Sequence, residues 1–230
     1  MFARYAYAPN ALGYCGPPDA EALRGGTADE VRAVARRFSG AWPYLCAMSA
    51  LTGIADPLDG RLVESYWLGG GVGAVLDPVE FTGALLARIG PLAGHYWTHL
   101  TPELANEAAA NHHFHVFGVY PWTRLLGKGP EPVRILDSCR ITWATVLARH
   151  DGEITVWCRR LRWDGYRLGL SAPGLRRIHD DAAPPDLYPG RAVALHWDRL
   201  CGLLSPAQVR DLAAGTARQL RVTNARLGRG

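Results

Sequence analysis

The chain has 230 residues, 48% of them hydrophobic, enough to fill one large core or two small ones. Its formal charge of +4 rests almost wholly on arginine, with Lys128 the only lysine. These cations form no basic stripe with interleaved aromatics, so no nucleic-acid partner is expected. No apolar run approaches a membrane span, and residues 1–19 lack the basic start and apolar stretch of a signal peptide, so a cytoplasmic protein with no membrane partner is expected.

Near the N-terminus, Tyr14-Cys15-Gly16-Pro17-Pro18-Asp19 reads as a rigid turn. From about residue 27 to 127 the pattern is helical. Thr27 and Glu30 have the spacing of a capping box, with Val31, Val34, Ala35 and Phe38 following on one face. Tyr66-Trp67-Leu68-Gly69-Gly70-Gly71-Val72-Gly73 has neither a preceding strand nor a following Lys-Ser/Thr, so its glycines read as a helix stop and close packing rather than a phosphate loop. Asp77, Pro78 and Glu80 form a second helix start, ahead of Phe81, Leu85, Leu86 and Ile89. Thr101 and Pro102 predict a further helix through the alanine-rich stretch to Ala110.

Asn111-His112-His113-Phe114-His115-Val116-Phe117 is the densest set of potential metal ligands. If the helix continues, His112 and His115 share a face; on a strand, His113 and His115 do. Either pair needs a third ligand, for which Asp59, Glu64, His95, His99 and Glu107 are the candidates. Two or three histidines with a carboxylate suit non-haem iron or zinc. A structural reading stands beside this one, with the histidines as neutral core groups among Phe114, Val116, Phe117, Val119, Tyr120 and Trp122.

Residues 127–132, Gly-Lys-Gly-Pro-Glu-Pro, read as a linker or a tight crossing between two units. Beyond them Asp151-Gly152 and Asp164-Gly165 are hairpin signals, which predict strands at roughly 139–149, 154–162 and 166–171, with another at about 191–197. Ser205 and Pro206 then open a helix with the apolar stripe Val209, Leu212, Ala213, Thr216 and Leu220, placed to cover an edge of the sheet. The predicted fold is α+β: a helical domain over 1–130 and, over 131–230, a small OB-like β-barrel with a C-terminal helix. Cys15, Cys46, Cys139, Cys158 and Cys201 have irregular spacings and no CxxC pair, so no disulfide framework is expected.

Cys139-Arg140-Ile141-Thr142-Trp143 leads through the strands to Pro189-Gly190-Arg191-Ala192-Val193-Ala194-Leu195-His196, and Leu204-Ser205-Pro206-Ala207 opens the last helix. Over residues 138–222 this order resembles the hydrogenase maturation chaperones of the HypC/HupF type. In those proteins a leading Cys, a strand meander, a Pro-Gly to His motif and a helix follow one another. Here Cys139 is internal, Thr142-Trp143 replaces the usual Pro-Gly, and Trp197-Asp198 stands where a Gly usually follows the His. The whole chain is also similar to an uncharacterised family of about this length associated with nickel-iron hydrogenase gene clusters.

The resemblance implies a HypC-like barrel that binds iron carrying cyanide and carbon monoxide, with Cys139 as the ligand and His196 as its partner. It implies docking on a maturation scaffold protein and on the hydrogenase large subunit. The helical domain would then contact the large subunit, or add a second metal or ligand-loading step through His112, His113 and His115. Two other functions fit the residues: a stand-alone iron or zinc enzyme built on those histidines, and a metal-free protein-interaction module.

Overall fold

A computed structural model describes residues 1–18, 20–93, 99–179, 184 and 186–228. The chain divides into two compact units, Met1–Pro121 and Trp122–Gly230.

The first unit is helical. Its helices are α1 (Phe2–Ala11), α2 (Ala22–Gly25), α3 (Ala28–Ala35), α4 (Ala41–Thr52), α5 (Gly60–Leu68), α6 (Pro78–Ala93) and the short α7 (His112–Phe114). The first two predicted helix starts, at Thr27 and Asp77, are built as the sequence suggests. The Thr27 hydroxyl accepts the Glu30 amide while the Glu30 carboxylate accepts the Thr27 amide. The Asp77 carboxylate accepts the amides of Val79 and Glu80. These bonds satisfy amides that have no partner inside the helix.

The helix expected to run through to Ala110 does not form. Pro102–Asn106 makes one 3-10 turn, and the side chain of Asn111 then accepts the Phe114 amide and starts α7 afresh. From there the chain widens into a π-helical turn, His115–Val119.

The core of this unit is aromatic. Phe38, Tyr44, Tyr66, Trp67, Phe81, Phe114 and Phe117 are all buried, and burial stabilises each large side chain by about 1.5–3 kcal/mol. Tyr5 stacks on Trp67 with centroids 5.4 Å apart. The glycines after α5 act as a helix stop. Gly69, Gly70 and Gly71 all have positive φ, and the Ser65 hydroxyl accepts the Gly73 amide at 2.9 Å, where a Cβ on Gly73 would come within 2.6 Å of it.

The second unit begins within the 3-10 turn Pro121–Leu125, whose residues from Trp122 on belong to it, and continues through α8 (Glu131–Cys139), β1 (Thr142–His150), β2 (Glu153–Cys158), β3 (Leu161–Trp163), β4 (Leu168–Leu170), β5 (Gly174–His179), β6 (Ala192–His196) and β7 (Arg199–Leu203) to α9 (Pro206–Leu227). Five strands close a barrel in the order β1-β2-β5-β7-β6, while β3 and β4 form a separate hairpin. Every barrel pairing is antiparallel except β5 with β7. Closure through one parallel pair is the topology of an OB-type barrel. Val146, Ile154, Val156, Ile178, Val193 and Leu195 fill the interior.

The expected linker is corrected: Glu131 already lies in α8, whose Pro132, Ile135, Leu136 and Cys139 are buried at i, i+3, i+4 and i+7. Cys139 therefore ends a helix rather than beginning a strand. The single strand expected over 154–162 is split into β2 and β3 because Asp137 takes the Leu161 amide at 2.7 Å and the Arg160 guanidinium at 2.7 Å, removing that stretch from the ladder. Strands β5 and β7 were not foreseen. Arg176 points inward from β5 and is 8% exposed, which hides the alternation. The turn before β7 contains no glycine.

Ser205 and Gln208 form the reciprocal cap of α9, which packs on β1 and β4. Its fully covered positions are Leu212, Thr216, Gln219 and Thr223. Three of these four buried positions are polar, and the stripe is rotated from the expected one.

Candidate metal centre

Two local features of the second unit bring Cys139 and His196 together. Helix α8 stops at Cys139 because Arg140 turns to an extended backbone, φ −66° and ψ 144°, and leads into β1. His196 is the last residue of β6, and the two residues after it, Trp197 and Asp198, make the tight turn to Arg199 with φ of 52° and 60°. Positive φ at both central residues is the hairpin geometry that matches strand twist. For a bulky residue such as Trp it is an uncommon, strained conformation. The Trp197 amide donates to the Ser138 carbonyl at 2.9 Å, which pins this turn to the end of α8.

The Cys139 thiol and an imidazole nitrogen of His196 consequently lie within 4.8 Å of each other. Cys139 is 8% exposed and His196 1%. Thiolate and imidazole ligands of one zinc ion stand at most about 4.4 Å apart. A small side-chain adjustment therefore lets both reach one ion, and the donor set suits a soft or borderline metal.

Charged groups surround the pair along the chain. Asp137, 3% exposed, accepts from Arg140, Arg160 and the Leu161 amide. Its oxygens are taken up, so it supports the end of α8 rather than offering a ligand. Arg140 is itself 1% exposed and also donates to the Arg159 carbonyl. Burial works against its charge while Asp137 sustains it. Arg176 pairs with Asp198 in the turn after His196. Burial pushes the Cys158 thiol up, with Arg176 and Arg140 opposing. None of the five cysteines forms a disulfide.

The histidines of the first unit lie in its aromatic core. His112, His113 and His115 are all buried. The rings of His112 and His115 stack with centroids 5.7 Å apart, the helical pairing of the two alternatives. Tyr66 holds His112 Nδ1 at 3.2 Å, and Trp67 lies 4.8 Å from the same ring. His115 packs against Tyr44 and Tyr120, and burial lowers its pKa to about 4.

Among the described residues, those considered as third ligands are not assembled there. Glu64 is exposed. Asp59 caps α5 and pairs with Arg61. His99 bonds the Val119 carbonyl at 2.9 Å, and Glu107 is buried. His95 lies outside the described residues. Among the described residues, the first unit by itself contains no group of three potential ligands placed to hold a metal ion.

Sequence reasoning overlooked Asp137, Arg140, Arg176 and Asp198. The i, i+3 spacing of Asp137 and Arg140 is visible in the sequence, but their burial is not. No curated protein and no solved structure matches the chain. A family model matches residues 1–230 in full, and the chain belongs to that family, a family of unknown function (DUF6390).

Proposed function

We propose that this protein is an accessory or chaperone of nickel-iron hydrogenase maturation. In this reading its cargo is an iron unit bearing cyanide and carbon monoxide, carried by the Cys139 thiolate with His196 as partner. The hydrogenase large subunit and a maturation scaffold protein are its partners, and it acts in the cytoplasm. The observation that carries the reading is the approach of Cys139 to His196 in an OB-type barrel, joined to the HypC/HupF-type order of motifs over residues 138–222. Low-spin iron with strong-field diatomic ligands is a soft centre, which thiolate suits. His112, His113 and His115 are assigned the auxiliary step, a second metal or ligand loading.

The test is elemental analysis with infrared spectroscopy on protein purified anaerobically from a hydrogenase-competent host. The reading predicts iron with cyanide and carbonyl stretching bands in the wild type and their loss in Cys139→Ala, with the fold intact by circular dichroism. Iron without those bands, unaffected in Cys139→Ala and lost in His112→Ala, would replace it with a metalloenzyme built on the first unit. Absence of metal from every preparation would leave a metal-free docking module.

A further inference from the structure

The second unit contains an open cleft of about 710 Å³, within the range of small-molecule sites. Three elements each send one arginine to it: Arg124 from the turn Pro121–Leu125, Arg167 from the β3–β4 turn and Arg221 from α9. No carboxylate lines it among the described residues, and neither Arg167 nor Arg221 forms an ion pair. Like charges converging on one cavity repel each other unless an anion joins them. The negative end of the α9 dipole favours Arg226 in the last turn but does not reach Arg221, and Asp164 offsets only part of the Arg167 charge.

Trp163 and Tyr166 line the same cleft. Tyr166 is 84% exposed, although its backbone is fixed: the Asp164 carboxylate accepts the amides of Tyr166 and Arg167 at 2.9 and 2.8 Å. The walls are also tied to one another. Asn224 bonds both the amide and the carbonyl of Leu168, at 2.8 and 2.9 Å, joining α9 to β4. Arg226 reaches the Thr123 hydroxyl at 3.4 Å, joining α9 to the Pro121–Leu125 turn. Arg221, Asn224, Ala225 and Gly228, at i, i+3, i+4 and i+7, form the α9 wall. The site is preformed.

We propose that this cleft binds a nucleotide, with the phosphates on Arg124, Arg167 and Arg221 and the base against Trp163 and Tyr166. The guanidinium fork matches phosphate oxygens in bidentate fashion, and base stacking on aromatic side chains tolerates any base. The site is separate from Cys139 and His196 and does not depend on the function proposed for them.

Isothermal titration of the full chain with ATP, inorganic triphosphate and adenosine tests it. ATP should bind saturably and more tightly than either part alone, and Arg167→Ala and Arg221→Ala, both exposed positions, should each weaken it by about tenfold or more. Trp163→Phe should remove the fluorescence change that accompanies binding. No saturable ATP binding at millimolar concentration would overturn the proposal, as would an affinity unchanged in both arginine variants. Triphosphate binding as tightly as ATP would dismiss the role of the aromatics. Binding confined to a single-stranded oligonucleotide would dismiss a mononucleotide ligand.

Discussion

At the scale of single residues, Asp137 does the most to shape the end of α8 that presents Cys139. It sustains the charge of Arg140, holds Arg160 and takes a backbone amide out of the sheet. Removing one partner of a buried ion pair leaves an uncompensated charge, which costs about 3–5 kcal/mol. Asp137→Ala is accordingly expected to lower stability by that amount in chemical denaturation; a change under about 1 kcal/mol would contradict the assigned role. Asp56 gives a contrasting case at the surface. Its carboxylate meets the Arg32 guanidinium through two bonds of 2.7 Å, which hold its pKa at about 2, below the ordinary 3.8. A depressed carboxylate pKa stabilises the fold above the unfolded value and loses that contribution as pH falls through the folded value. The pair is 37% and 44% exposed, so solvent screening keeps the effect small. Asp56→Asn should be less stable than wild type at neutral pH, with the difference shrinking between pH 3.8 and about 2. A difference independent of pH would refute this.

At the scale of elements, the signals that survive in the sequence are those that act locally. The Thr27 and Asp77 caps, the Asp151-Gly152 turn and the Ser205 cap each specify their own few residues, and each is found in the structure. Ser205→Ala should cost about 1 kcal/mol through loss of the α9 cap, measurable as a lowered thermal midpoint; an unchanged midpoint would show that tertiary packing alone fixes the start of that helix. The elements that were missed are set by distant partners. Strand β5 carries an inward Arg176 that makes sense only beside Asp198, and β3 is separated from β2 by a carboxylate on α8. Helix α8 differs: the i, i+3, i+4, i+7 spacing of Pro132, Ile135, Leu136 and Cys139 is present in the sequence, but prolines at 130 and 132 are ambiguous signals, a break in a linker and a start in a helix.

The nearness of Cys139 and His196 was not legible for a similar reason. It depends on a two-residue turn in which Trp197 and Asp198 adopt a conformation their side chains disfavour, and on one backbone bond from that turn to Ser138. Their chemistry suggested a pair; the register that brings them together is a property of the closed barrel.

At the scale of the whole molecule, no described helix is long and apolar enough to cross a membrane, and each unit has its own buried core. The helical unit holds three buried histidines in an aromatic setting, and the barrel unit holds the Cys139 and His196 pair together with a cationic, aromatic cleft. The proposed function would place its cargo site on the barrel unit and its accessory histidines on the helical unit. The most direct test of the central claim is the infrared spectrum of anaerobically purified wild-type protein beside Cys139→Ala from the same hydrogenase-competent host. The account predicts cyanide and carbonyl bands of bound iron in the first and none in the second. Bands of equal intensity in both, from folded protein, would contradict it.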